Sequence, residues 1–499
     1  MTKRLMFQGT ASDSGKSWMV AAFCRYLTNQ GNEVVPFKSQ NMALNSYITP
    51  EGFEMGRAQV FQAEAARKIP NVRMNPVLLK PSTDSESQII VDGKVIGDMK
   101  AKDYFQFKNR LRSFVQNDFD QLASENDVVL LEGAGSPAEI NLNKNDFANM
   151  GMADMADAPV VLVADIDKGG VFASIYGTIK LLPVEHQKRI KGIIINKFRG
   201  DVSLLQNGNN QIEELTGVPV LGVMPMTDLD IDEEDSVALA RKSQEKVPGK
   251  DLDIAVIVVP KISNYTDFNS FKQYKDVSVR YVRNVSQLGI PDLIIIPGSK
   301  NTNEDLSYLR KIGFVDAIKN AHSQGCKVFG ICGGYQMLGK KLVDKQHIES
   351  QIEEQQGIGL LNVTTYYEDQ KTTTQACAQK DGYQLTGYEI HMGKTILGSK
   401  VKPFSEIREV NGKKRSRNDG AVSSDLSVNG TYLHGVFDNA LWTRHFLNNI
   451  RLSKGLEPIF EEVIPIQEYK SQQYDKLAKI FAKNVDVSSL LKILDESEK

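Results

Sequence analysis

Cys332 stands in Val328-Phe329-Gly330-Ile331-Cys332-Gly333-Gly334-Tyr335-Gln336-Met337-Leu338, where an apolar run stops at glycines and a helical pattern follows. A strand that turns sharply into a helix pushes the turn residue out at the sheet edge. Flanking glycines relieve the crowding there. A side chain so placed also sits near a helix N-terminus, which favours an anion. This is a nucleophile elbow; the alternative is a buried structural cysteine beside turning glycines. A thiol nucleophile needs a base, and the six histidines are 186, 322, 347, 391, 434 and 445. His434 closes a short apolar strand in Gly430-Thr431-Tyr432-Leu433-His434-Gly435, which presents its imidazole at a sheet edge. His391, in Gly387-Tyr388-Glu389-Ile390-His391, is the second candidate, and either also fits a satisfied structural histidine. Upstream, Pro297-Gly298-Ser299 follows an apolar run. The turn at Gly298 and Ser299 supplies backbone N–H donors as one half of an oxyanion hole, and the N–H of Gly333 supplies the other.

A second chemistry opens the chain. Gly9-Thr10-Ala11-Ser12-Asp13-Ser14-Gly15-Lys16-Ser17 lies between a short apolar run and a helical segment. Strand, glycine loop ending in Gly-Lys-Ser, and helix together form a phosphate-binding loop, here one residue longer than the usual G-x4-G-K-[ST]. Backbone N–H groups from Gly9 to Gly15 and the helix N-terminus cradle an anion. Lys16 reaches the outer phosphates and the Ser17 hydroxyl suits magnesium. Glu132, at the end of Val-Val-Leu-Leu, is the second expected magnesium ligand, directly or through water. Asn196 and Lys197, after Gly-Ile-Ile-Ile, are placed to meet a nucleotide base. Asp165, Asp167 and Lys168 end another such run. A loop charge facing water is the alternative for each, but three polar motifs at three strand ends are hard to dismiss.

The elements that position these residues are legible as alternation. Strands are expected at Leu5 to Phe7, Glu33 to Phe37, Val128 to Leu131, Val160 to Ala164, Ile193 to Ile195 and Val220 to Val223, with helix-length segments between them. That pattern predicts a parallel, doubly wound sheet, with ligands at the C-terminal strand ends. The helix after the loop is expected from Trp18 to Gln30, stopped by Gly31. Residues 38–46, Lys-Ser-Gln-Asn-Met-Ala-Leu-Asn-Ser, read as an amide-rich loop, and 75–81 as extended chain. From Asp228 to Asp251 charge runs and a Pro-Gly mark a linker. Strands then resume at Ile254 to Val259, Val277 to Tyr281, Leu293 to Ile296 and Val328 to Ile331, in a second α/β domain. The expected division is 1–235, 251–445 and a helical packing or capping tail at 446–499.

Composition narrows the setting. The 499 residues exceed one ordinary core. A net charge of -2 gives no electrostatic case for nucleic acid or an anionic membrane surface. Four cysteines without CxxC spacing make neither a disulfide framework nor a zinc site and suit a reducing compartment. No signal peptide and no apolar run long enough to span a bilayer is present, so a cytoplasmic, soluble protein is expected.

Taken together, the Pro-Gly-Ser turn, the Gly-Ile-Cys-Gly-Gly elbow and the late histidine resemble a class I glutamine amidotransferase domain. The N-terminal half resembles the dethiobiotin synthetase-like P-loop fold, whose loop shares the longer spacing. In this order the two resemble the cobyrinate amidotransferase family. Four long motifs carry the likeness: residues 38–46, Glu-Met-Gly-Arg-Ala-Gln at 54–59, Glu-Gly-Ala-Gly-Ser-Pro-Ala-Glu-Ile-Asn-Leu at 132–142, and Asp-Ile-Asp-Lys-Gly-Gly-Val-Phe-Ala at 165–173. The likeness runs to about residue 445.

The resemblance implies glutamine hydrolysis in the C-terminal domain and ATP-dependent, magnesium-dependent amidation of a corrinoid. Its implied substrate is adenosylcobyrinic acid a,c-diamide, amidated at carboxylates b, d, e and g. Cys332 would form a thioester, with His434 as base and then acid. Amidation of the a and c carboxylates, or a non-catalytic P-loop regulatory role, are the competing readings. One departure stands out: the glutamate that class I enzymes carry two residues after the histidine is here Val436. Glu389 and Asp438 are the available substitutes. Lacking a clear third residue, the elbow is expected to hydrolyse glutamine modestly unless the ATP site is occupied. The oligomeric state is left open.

Overall fold

The alternating apolar runs assemble as their spacing predicts, because runs buried on both faces suit a parallel sheet covered by helices. The computed structural model describes residues 2–82, 86–141, 145–232, 239 and 243–497. Part of the expected linker at 228–251 lies outside these residues. Two compact units result, and neither is continuous in the chain. The first comprises Met1–Ala43, Met55–Glu234 and Lys470–Lys499; the second comprises Leu44–Glu54 and Asp235–Tyr469.

The first unit is built on six parallel strands in the order Val220–Pro225, Ile190–Phe198, Val160–Asp165, Lys3–Gly9, Val128–Glu132 and Val34–Phe37. Lys3–Gly9 is central, so the glycine loop leaves the middle of the sheet and enters the helix Lys16–Asn29. Side by side with its C-terminal end are those of Val128–Glu132 and Val160–Asp165. A four-stranded sheet that sequence reading did not resolve joins Gln40–Met42, Val77–Pro81, Glu86–Val91 and Lys94–Lys100.

Residues 470–499 also belong to this unit. Tyr474, Leu477, Phe481 and Val485 recur at helical spacing and enter the same core as Phe7, Phe23 and Leu27. The rings of Phe23 and Phe481 lie 5.8 Å apart. The chain end is therefore part of a core rather than a cap on its surface.

The second unit has a seven-stranded sheet in the order Val277–Val282, Leu252–Ile257, Leu293–Ile296, Lys327–Ile331, Val428–Thr431, Ala421–Ser423 and Val401–Lys402. The first five are parallel; Ala421–Ser423 pairs antiparallel with Val428–Thr431, and Val401–Lys402 antiparallel with Ala421–Ser423. A long antiparallel hairpin, Val363–Lys380 with Tyr383–Leu397, forms part of another sheet. Its turn is Asp381-Gly382, with φ of 50° and 84°, the left-handed pair that a tight hairpin requires. Among the described residues, no helix is long and apolar enough to cross a membrane.

Candidate active site

Cys332 joins the strand Lys327–Ile331 to the helix Gly333–Leu338 with φ 52° and ψ -110°. That region is forbidden to most side chains and is worth about 1–3 kcal/mol of strain. The surroundings enforce it. The Cys332 N–H donates to Thr431 O at 2.8 Å on the neighbouring strand. Packing around Gly334 is so close that a Cβ there would lie 1.9 Å from Ile296 O. The glycines of the elbow are thus needed to bring its helix down onto the adjacent strand.

The thiol Sγ is 3.4 Å from Ile390 O, and Cys332 is 6 % exposed. His434 is fully buried beside it. Its Nδ1 lies 2.7 Å from Asp267 Oδ2, and the Gly435 N–H donates to Asp267 Oδ1 at 3.0 Å. One carboxylate therefore fixes both the ring and the chain carrying it. Burial works against a charged ring, but Asp267, by charge and hydrogen bond, and then Cys332 push His434 up to about 10. Nε2 has no formed hydrogen bond. The thiol influences the ring from close by while its own hydrogen bond goes to Ile390 O.

Asp267 is the residue that sequence reading missed. It lies in the irregular helical segment Tyr265–Gln273, and its only sequence signal is an acid soon after the expected strand Ile254 to Val259. The two proposed substitutes are committed elsewhere. Glu389 accepts from Thr374 Oγ1 at 2.8 Å and pairs with Arg417, and Asp438 is bonded by Ser270. Val436 is buried in the core, which is why no carboxylate is found there. The expectation of a weak elbow for want of a third residue loses its physical basis. His391 stacks on Tyr432 with ring centroids 3.7 Å apart, and Nδ1 lies 2.7 Å from Gly393 O. Burial pulls it down to about 4, so it stays neutral.

The Pro-Gly-Ser turn comes to the same place. A Cβ on Gly333 would lie 2.9 Å from Ser299 N, and one on Gly298 would lie 3.2 Å from His434 Cε1. Gly298, Ser299 and Gly333 therefore converge beside Cys332. Asp305, buried and pushed up to about 7 by that burial, accepts from Ser299 Oγ at 2.6 Å and holds the turn. Thr302, at the start of the next helix, lies 3.1 Å from Gln336 Oε1 and 3.2 Å from Glu349 Oε1. Glu349 Oε2 is buried without a hydrogen-bond partner, and burial pushes this carboxyl up to about 7.

In the first unit the loop from Gly9 to Ser17 closes around the Lys16 ammonium. Gly15, with φ 96°, packs against Asn196, whose Nδ2 donates to Ser14 O at 2.9 Å. Thr10 N donates to Val163 O at 3.0 Å. Lys16 Nζ lies inside the loop, donating to Ala11 O and Gly135 O at 3.1 Å each. Ser14 Oγ is buried without a partner, as a group awaiting an anionic ligand would be. Asn196 thus buttresses the loop itself, and Lys197 pairs with Asp165 at 2.9 Å.

Ser17 Oγ donates to Glu132 Oε1 at 2.9 Å, so the two expected metal ligands are adjacent. Their hard oxygens suit magnesium, which takes few protein ligands when phosphates supply others. Sequence reading assigned no role to Lys38 or Gln62, yet both reach Glu132. Lys38 Nζ pairs with Oε1 at 2.8 Å, and Gln62 Nε2 donates to Oε2.

Residues 5–274 match the CobQ/CobB/MinD/ParA nucleotide binding domain, and residues 253–442 match the CobB/CobQ-like glutamine amidotransferase domain. A nucleotide-binding half followed by this amidotransferase half defines a glutamine-dependent amidoligase. Among curated proteins, the cobyric acid synthase of Limosilactobacillus reuteri is 62% identical over 495 residues, 99% of each chain. Those of Streptococcus sanguinis and Listeria monocytogenes are 56% and 54% identical, over 100% and 99% of this chain and 100% and 97% of theirs. The chain belongs to the cobyric acid synthase family.

Proposed function

We propose that this chain uses glutamine and ATP to amidate carboxylates b, d, e and g of adenosylcobyrinic acid a,c-diamide. The observation that carries the glutaminase half is the Cys332–His434–Asp267 alignment beside the convergent Gly333 and Ser299 backbones. Family membership supports the corrinoid as acceptor. Cys332 Sγ attacks the carboxamide carbon of glutamine. The oxygen that becomes negative sits against the N–H groups of Gly333 and Ser299, with Gly298 shaping the turn. His434, held by Asp267, keeps the proton taken from the thiol and gives it to the departing ammonia. Water then cleaves the thioester to glutamate. Glu349, with one buried oxygen unpaired, is suited to the ammonium group of bound glutamine.

The acceptor carboxylate repels nucleophiles until it is phosphorylated. Transfer of the γ-phosphoryl group of ATP gives an acyl phosphate and ADP; ammonia then displaces phosphate, forming the amide with loss of a proton. Gly9, Thr10, Ser14 and Gly15 cradle the phosphates, and Lys16 offsets their charge. Asn196 and Lys197 support that loop from the side and complete the nucleotide site. Magnesium, held by Ser17 and Glu132, supplies further neutralising charge when bound.

Cys24, Cys326, Cys332 and Cys377 are all free, which suits the cytoplasm. The test is glutamate release and ATP hydrolysis with each corrinoid acid. Turnover with the a,c-diamide alone supports the proposal. Turnover with cobyrinic acid instead points to the a and c positions, and turnover with neither points to a regulatory role.

A further inference from the structure

The segment Leu44–Glu54 leaves the first unit and returns to it, but belongs to the second. It folds back on itself, with Thr49 N donating to Phe53 O at 2.7 Å and Gly52 N to Thr49 O at 2.9 Å. Its backbone is held by two residues that flank the catalytic pair. Ser46 N donates to Asn264 Oδ1 at 2.9 Å, and Asn264 begins the segment that carries Asp267. The Tyr388 hydroxyl donates to Ser46 O at 3.2 Å, and the Tyr388 ring stacks on His434 at 5.1 Å and 18°. Tyr388 also exchanges backbone hydrogen bonds with His434, at 2.8 and 3.2 Å. Further along, Gln375 bonds Ile48 O, and Lys371 pairs with the fully buried Glu54 carboxylate at 2.7 Å.

Both ends of this strap are fixed within the first unit by buried amides. Asn41 Nδ2 donates to Gln59 Oε1 at 3.1 Å, Gly56 N to Asn75 Oδ1 at 3.0 Å, and Asn75 Nδ2 to Lys38 O at 3.1 Å. On the entering side stands Lys38 and on the leaving side Gln62, and both bond Glu132. One short stretch of chain thus has the expected metal-binding carboxylate at each end and the supports of His434 and Asp267 at its middle.

We propose that Leu44–Glu54 is a positioning strap for the glutaminase triad, acting through Asn264 and Tyr388, and that it reports the state of Glu132 to that triad. This rests on the glutamine-driven ligase reading above. Drawing Glu132 toward a metal–nucleotide complex loosens its bonds to Lys38 and Gln62. The strap then shifts the balance between aligned and misaligned His434–Asp267. A ligand moves such an equilibrium only through its differential affinity for the two states, and couplings of this kind typically amount to about 5–150-fold.

The experiment uses the full chain and measures glutamate release at saturating glutamine. It compares the protein alone with the protein given ATP, Mg2+ and adenosylcobyrinic acid a,c-diamide. The wild type is expected to be stimulated on that scale. Tyr388→Phe keeps the ring on His434 and removes only the hydroxyl, and is expected to cut the stimulation about five-fold. Asn264→Gly tolerates the left-handed backbone at this position (φ 53°) and is a second, independent variant with the same expected loss. A merely structural role would lower both rates together and leave their ratio unchanged. An unchanged ratio in both folded variants, or no stimulation of the wild type, overturns the strap. No glutamate release by the wild type under any condition overturns the reading beneath it as well.

Discussion

Replacing Asp267 by Asn keeps the shape of the pair and removes its charge. His434 holds its proton to about pH 10, although burial alone pulls the ring below its ordinary 6.5. The net rise from 6.5 to about 10 corresponds to about 5 kcal/mol, and losing the carboxylate removes the larger of its two raising partners, with Cys332 the other. That agrees with the ~3–5 kcal/mol typical of breaking a buried ion pair. Two consequences follow from the sign. A proton affinity raised on folding stabilises the protein fully below pH 6.5 and ceases to do so as pH rises through 10. The wild type should therefore lose melting temperature across that window, and Asp267→Asn should not. In catalysis, loss of the charge and of the fixed tautomer should lower kcat for glutamate release by about 10^4. The alkaline limb of the pH profile should move from near 10 to below neutrality. Glutamate release within about tenfold of wild type, with an unmoved profile, would refute the assignment of Asp267.

Cys332→Ala should abolish glutamine-dependent amidation but leave amidation with added ammonium salts at alkaline pH, read by amide formation on the corrinoid. Lys16→Ala should lower acceptor-dependent ATP hydrolysis about a hundredfold or more, since a preorganised charge at the phosphates is lost. Its glutamate release without nucleotide should be unaffected. Gly334→Ala should cost about 3 kcal/mol or more of stability, measured by the denaturant midpoint, because a Cβ there meets Ile296 O at 1.9 Å.

Much of both sheets was legible because parallel strands are buried on both faces and appear as short, continuous apolar runs. The elbow was legible for a related reason: Cys332 needs glycines around it, and glycines at a strand end are conspicuous. Asp267 was not, because it serves a histidine 167 positions away from an irregular segment with no periodicity. The residue two positions after His434 gave a misleading hint, since that position faces the core. The hairpin Val363–Lys380 with Tyr383–Leu397 escaped because Thr, Gln and charged residues dilute its apolar alternation. Its Asp381-Gly382 turn was the available signal. The amide-rich 38–46 stretch reads as a loop in sequence, whereas Gln40–Met42 is a strand of the four-stranded sheet. What it binds depends on Asn75, Gln59 and Asn264, which only the folded chain brings near.

The closure of the first unit by residues 470–499 bears on how the protein is made. A ribosome adds Phe7 and Phe23 early, but Leu477, Phe481, Leu490 and Leu494, which share the same core, follow only after the amidotransferase unit. The phosphate loop therefore emerges on a sheet that stays open while more than two hundred further residues are synthesised. Those later residues include the parallel strands of the amidotransferase unit, which can pair as soon as they appear. The half that binds nucleotide is begun before the amidotransferase unit and completed only after it, so its core cannot close as one continuous stretch during synthesis.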